Sequence, residues 1–247
     1  MTARSWVLDR RVDRADLLHR PWPDEGHRRE RRVAICRVAG GPGLVLGSTQ
    51  LLPDGAVGAL PPAFRRESGG GAVLVAPGAQ VWMDLWLPRD DPLFEDDVVR
   101  AASWLGRAWA VALGALGIGP DRVALHEGPL QETAWSRTVC FAGLGPGEVT
   151  VDGRKLLGLA QRRTSSGARF HTMAPLRWEP IPLVSALERA GLLPAGALPG
   201  VVADVADRAT GLRAVLGLGS LPGDDDLIAA VEEALLESLP EYAPRSP

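Results

Sequence analysis

The chain has 247 residues, 46% hydrophobic and 23% charged, with a net charge of −3. That length fits one large domain, or one domain with a small appendage, and the composition is that of a globular protein with a sizeable core. The slightly acidic balance argues against a broadly basic nucleic-acid surface, and two cysteines in so long a chain exclude a disulfide scaffold.

Residues 1–32 hold nine arginines against six acidic side chains and end in His27-Arg28-Arg29-Glu30-Arg31-Arg32, which reads as a solvated, arginine-rich leader before a domain at 33–247. The N-terminus has no apolar stretch fit for a signal peptide, and no run approaches the ~18 apolar residues of a spanning helix. The expectation is a cytoplasmic protein with neither membrane nor nucleic acid as partner.

Val33 to Val38 reads as a strand, with Cys36 a small buried hydrophobe in it. Gly40-Gly41-Pro42-Gly43 turns the chain into a second short strand at 44–47. From Gln80 to Leu87, Val81, Met83, Leu85 and Leu87 alternate with Trp82, Asp84 and Trp86, the period of a strand. Apolar residues spaced by three and four predict a helix over 94–116, ended by Gly117 and Pro120. Trp82, Trp86, Trp104 and Trp109 fall at strand or helix spacing and are expected in the core.

Strands resume at Thr138 to Phe141, at Glu148 to Val151, at Arg154 to Arg163 and at about Ala168 to Trp178. Asp152-Gly153 between two of these runs is a two-residue hairpin signal. From Leu183 the chain reads as helical with Gly and Pro breaks, ending in a helix over 224–239. Strands in the middle and helices at the end give an α+β fold with mixed or antiparallel sheets flanked by helices.

Three segments can carry chemistry. In Arg65-Arg66-Glu67-Ser68-Gly69-Gly70-Gly71-Ala72-Val73, bare backbone amides and flanking guanidiniums suit an anion or carboxylate. No Lys-Ser/Thr follows the glycines, so this is not a P-loop. The second segment holds Lys155, the sole lysine beside 26 arginines. It lies on the hairpin strand where Gly158 and Ala160 leave one face nearly bare for a substrate or another backbone. The third is Cys140, fifteen residues before Lys155. A thiol of pKa about 8.5 needs a nearby cation to become a thiolate, whereas an isolated strand cysteine is more often inert and buried. There is no Gly-x-Ser-x-Gly elbow, and the four scattered histidines form no zinc motif.

In combination and order, these segments resemble the lipoate/octanoate–protein ligase and transferase family, which shares its fold with biotin–protein ligases. The resemblance rests on Val45 to Gln50, on Arg65 to Val73, on Gly153 to Arg163 and on His171. It implies a biotin/lipoate protein ligase-like fold, with Arg65, Arg66, Gly69, Gly70, Gly71, Ala72, Val73, Leu74, Gly158, Ala160 and His171 binding substrate. Cys140-Phe141 standing fifteen residues before Lys155 is similar to the cysteine-dependent octanoyltransferase group. That implies Cys140 as nucleophile, Lys155 as the cation favouring its thiolate, and no cofactor or metal.

An octanoyl or lipoyl group would then pass from acyl carrier protein or another donor, through a Cys140 thioester, to a lysine of a lipoyl-domain protein or glycine-cleavage carrier protein. An ATP- and Mg-dependent lipoate–protein ligase is the alternative, and a non-catalytic acyl- or carrier-binding homologue the second. The chain departs from the family at Leu74-Val75-Ala76, where an aromatic, His and Asp are usual, and at Leu159 and Thr172, where smaller residues are usual.

Overall fold

The computed structural model describes residues 5–22, 29–53 and 61–240. Its centre is a five-stranded sheet in the order β1-β2-β6-β11-β10, from strands Trp6–Asp13 (β1), Arg31–Val38 (β2), Gln80–Pro88 (β6), Gly158–Arg163 (β10) and Gly167–Pro175 (β11). β1 runs parallel to β2, and the other neighbours are antiparallel.

The segment expected to be a solvated leader therefore supplies an edge strand and a short helix, Ala15–Leu18 (α1). Arginines crowd β1 because an edge strand keeps one side in solvent, so charge there does not oppose sheet pairing. Residues 27 and 28 of the basic run lie outside the described residues.

β6 is buried along its whole length because both faces of the sheet are covered. Val81, Met83, Leu85 and Leu87 face helices Ser103–Ala115 (α2) and Asp224–Ser238 (α6) in the largest core cluster, joined by Trp104 and Trp109. Trp82 and Trp86 lie in a separate cluster with Leu18, Trp22, Val45 and Val75. That side is covered by a three-stranded sheet, Ala63–Arg65 (β4), Gly43–Leu46 (β3) and Val73–Val75 (β5). Asp84 sits among the tryptophans on this second face, fully buried, so it requires partners.

The expected helix over 94–116 begins only at Ser103. Before it, the Asp97 carboxylate accepts the amides of Val99 and Arg100 at 2.8 and 3.2 Å, holding turns in place of a helix. The strand expected at 138–141 is also shorter. Val139 bridges to Ala72, and Cys140–Ala142 then forms a single 3-10 turn.

A third sheet, Val123–Leu125 (β7), Val149–Val151 (β8) and Arg154–Lys155 (β9), contains the expected hairpin. Asp152 and Gly153 take φ of 51° and 75°, as a tight primed turn demands. The run expected as one strand over 154–163 breaks at Leu156 and Leu157, whose amides both point to the Val149 carbonyl. The chain then crosses into the large sheet at Gly158. Helices Pro180–Arg189 (α3) and Leu198–Ala206 (α4) cover Ala72, Val139 and Ala142 in a further core cluster, and a short helix, Leu212–Val215 (α5), precedes α6. No helix of the described residues is long and apolar enough to cross a membrane.

Candidate active site

The glycine segment, the Cys140 turn and the hairpin lysine converge. Gly71 packs so tightly under the turn that a Cβ on it would lie 2.6 Å from the Cys140 amide nitrogen. The Cys140 amide donates to the Ala72 carbonyl at 3.0 Å, so the turn sits directly on the glycine segment. Cys140 is half-buried, while Cys36 is sealed in the core and burial pushes its thiol up.

Lys155 is 4% exposed, and its ammonium is fully engaged. Nζ donates to the Cys140 carbonyl at 2.8 Å and the Gly143 carbonyl at 3.0 Å, and pairs with Glu148 Oε2 at 2.6 Å. It also lies 5.1 Å from the Phe141 ring centroid. Glu148 is equally buried and accepts the amides of Gly145 and Leu159 at 2.6 and 3.0 Å. An ammonium has three protons, and all three here are matched by acceptors. Lys155 thus pins the turn that carries Cys140 by the backbone.

Cys140 instead opens onto a narrow apolar pocket with about 40 Å³ of free volume, room for roughly three waters. Val73, Trp82, Phe141, Gly158, Ala160 and Met173 contribute to its walls, as do Leu159 and Thr172, two of the departures from the family pattern. Thr172 is buried and donates to the Met83 carbonyl at 3.0 Å, which satisfies its hydroxyl. Lys155 is not among the described residues lining this pocket; Arg66, His19 and His171 are.

Arg66 is 5% exposed and donates to the carbonyls of Gly69 and Gly71 at 2.6 and 2.9 Å and to Ser68 Oγ at 3.1 Å. Burial pushes its guanidinium below the ordinary value, and the Cys140 thiol opposes that shift. Arg65 points to solvent from the end of β4, and Leu74 lines a wider groove of about 500 Å³ that shares Val73, Phe141 and Met173 with the pocket.

Around His171 lies a buried polar network whose other members the motifs do not contain. Asp84 and His171 are directly paired across β6 and β11, and Asp84 Oδ1 accepts His171 Nδ1 and Trp82 Nε1, each at 2.7 Å. Arg169 Nη2 makes a close ion pair with Asp84 Oδ2. Burial alone would raise the Asp84 carboxyl, yet His171 and then Arg169 hold it far below the usual carboxylate range. Burial lowers His171 below the ordinary imidazole value, against the opposing pull of Asp84. With Asp84 ionised and Nδ1 donating to it, the neutral ring keeps its lone pair on Nε2.

Arg169 also donates to the carbonyls of Arg20 and Leu18 at 2.9 and 3.2 Å. This clamps the N-terminal segment over the pocket and seats His19 against Trp82, ring centroids 4.3 Å apart. Both His19 nitrogens are buried with no hydrogen-bond partner among the described residues. Burial, then His171, lowers its pKa well below the ordinary value. His19, Asp84, Glu148 and Arg169 were missed by sequence reasoning. The available signal was Asp84, a charge in the middle of an apolar strand.

Residues 58–176 match the model of the Biotin/lipoate A/B protein ligase family. No curated protein matches the chain in sequence. Among solved structures, it is similar to a lipoate-protein ligase A bound with ATP at 14% identity and TM-score 0.59, with 96% of this chain and 84% of that one covered. It is likewise similar to a bipartite lipoate protein ligase of Thermoplasma acidophilum, studied with its E2 lipoyl domain, at 13% identity and TM-score 0.62, covering 98% and 87%. A T. acidophilum structure with bound lipoic acid aligns at 15% identity and TM-score 0.60, covering 96% and 84%. The chain has the biotin/lipoate protein ligase fold, and its central segment, residues 58–176, matches that family.

Proposed function

We propose that this chain transfers an octanoyl or lipoyl group from a carrier thioester, through a thioester on Cys140, to a lysine of a lipoyl-domain or glycine-cleavage carrier protein. The observation that carries this reading is the placement of Cys140, half-buried at the wall of an apolar pocket that the Arg66 guanidinium also lines. Its thiolate attacks the donor thioester carbonyl, and the carrier thiol leaves. The amides of Gly70 and Gly71, which donate to no protein acceptor among the described residues, lie next to the turn and receive the developing oxyanion. Val73, Phe141 and Met173 line both the pocket and the wider groove, which gives the acyl chain apolar surface on either side of them. The Thermoplasma ligase with its lipoyl domain supports a lipoyl-domain acceptor.

Incubation with octanoyl-carrier protein leaves one octanoyl group on Cys140, and Cys140→Ser lowers transfer by about 10³-fold or more. Transfer that survives in Cys140→Ser sinks this reading.

ATP-dependent ligation is the second reading, favoured by the similar fold that binds ATP. The residues here fit a metal–nucleotide complex poorly. Leu74, Val75 and Ala76 follow the glycines, so the segment beside them offers no carboxylate or imidazole to a metal-bound nucleotide. Lipoate-dependent pyrophosphate exchange by the purified chain would establish that reading over the first.

A further inference from the structure

We propose that His171, oriented by Asp84, is the general base of this site, taking the Cys140 proton and later that of the acceptor amine. The inference deepens the transferase reading and rests on it. Three observations lead here.

The residue expected to activate the thiol is committed elsewhere. Every proton of the Lys155 ammonium is taken by the Cys140 and Gly143 carbonyls and by Glu148. A cation so neutralised contributes little field at the sulfur, and it has no lone pair with which to accept a proton.

The second observation is the His171–Asp84 pair. Nδ1 donates to a carboxylate fixed in turn by Trp82 and Arg169, which sets both ring orientation and tautomer. Nε2 has no hydrogen-bond partner among the described residues and is not sealed from solvent. Such an arrangement, a buried carboxylate holding an imidazole with one free nitrogen, is what a nucleophile's base requires.

The third is the shared space. His171 and Cys140 line one small pocket of about 40 Å³ free volume, and the Arg66 guanidinium, which lines it too, acts electrostatically on His171. The groups facing His171 are Asp84 from β6, Arg169 from its own strand, His19 beyond α1 and Arg66 beyond β4. Burial, helped by the Arg169 and Arg66 guanidiniums, outweighs the pull of Asp84 and disfavours imidazolium at rest, so the ring waits neutral.

The steps balance. Cys140 S–H gives its proton to Nε2, and the thiolate adds to the donor carbonyl. The C–S bond to the carrier breaks, and the carrier sulfur takes the proton from imidazolium. A neutral acceptor amine then adds to the acyl-Cys140 carbonyl and loses its proton to Nε2. The C–S bond to Cys140 breaks, the amide is released, and imidazolium returns the proton to the Cys140 thiolate.

The test is the pH dependence of carboxamidomethylation by iodoacetamide, read by peptide mass on the full chain. Cys36 is 1% exposed and does not compete. In the wild type, alkylation of Cys140 persists below the range of a free thiol and falls away only as His171 protonates, below about pH 6.5. His171→Asn keeps an amide N–H for Asp84 but has nothing at Nε2, and its alkylation at pH 7 drops by about tenfold or more. Wild-type alkylation that follows one ordinary thiol titration overturns the proposal without any variant. So does a folded His171→Asn chain with the wild-type profile. The outcome is independent of acyl transfer. A His171-dependent profile in a chain that never acquires an octanoyl group on Cys140 would refute the transferase reading while leaving the relay in place.

Discussion

Cys140 has two neighbourhoods built on opposite logic. On one side Lys155 and Glu148 form a closed set, in which the ammonium meets three acceptors and the carboxylate meets an ammonium and two amides. On the other side, the His171 Nε2 and both His19 nitrogens have no protein partners among the described residues. Closed sets fix geometry, because each member is costly to move. Open valences beside a pocket are available to a substrate or a proton. The proposal follows this contrast, giving scaffolding to the lysine of the sequence motif and chemistry to the histidine side.

The contrast breaks most visibly at Lys155. Lys155→Met leaves Glu148 buried and uncompensated, which costs about 3–5 kcal/mol of stability by urea unfolding. Adding Glu148→Gln recovers part of that loss, since replacing both partners is milder than removing one. A Lys155→Met chain as stable as wild type but unable to transfer would move Lys155 from scaffold to chemistry.

The next effect is at Gly71. Gly71→Ala puts a methyl 2.6 Å from the Cys140 amide nitrogen, so the turn must shift. Displacing a nucleophile by about 1 Å lowers turnover by roughly 10²-fold. Turnover unchanged in Gly71→Ala would mean that the turn tolerates displacement and that its pinning by Lys155 is not needed.

The smallest effect lies in pH. His19 and His171 both have folded-state values below the ordinary imidazole value, largely through burial. The unfolded chain therefore binds more protons in the window just under pH 6.5, and stability falls as pH drops through it. His19→Phe keeps a ring against Trp82 and removes two unpaired nitrogens. It should be neutral or stabilising by about 1 kcal/mol at pH 7 and should blunt the acid loss in a thermal melt. An unchanged acid slope would show that the His19 nitrogens do find partners.

Sequence local in character was legible. The Asp152-Gly153 turn, the alternation of β6 and the tryptophan core all follow from short-range pattern. What was not legible depends on pairing over long separations. Asp84 meets His171 across 87 positions, and Arg169 reaches back 151 positions to hold the segment bearing His19. Arginines hid β1 because edge strands tolerate charge, and the motif strand over 154–163 concealed the break at Leu156 that turns Lys155 inward. A charged residue inside β6, flanked by Met83 and Leu85, was the one hint that a buried partner had to exist.

The most direct measurement is the intact mass of the full chain after brief exposure to octanoyl-carrier protein without acceptor. A single octanoyl group mapping to Cys140, lost on adding a lipoyl domain, is the expected result. A chain that modifies the lipoyl domain while its own cysteine stays unacylated would contradict the account.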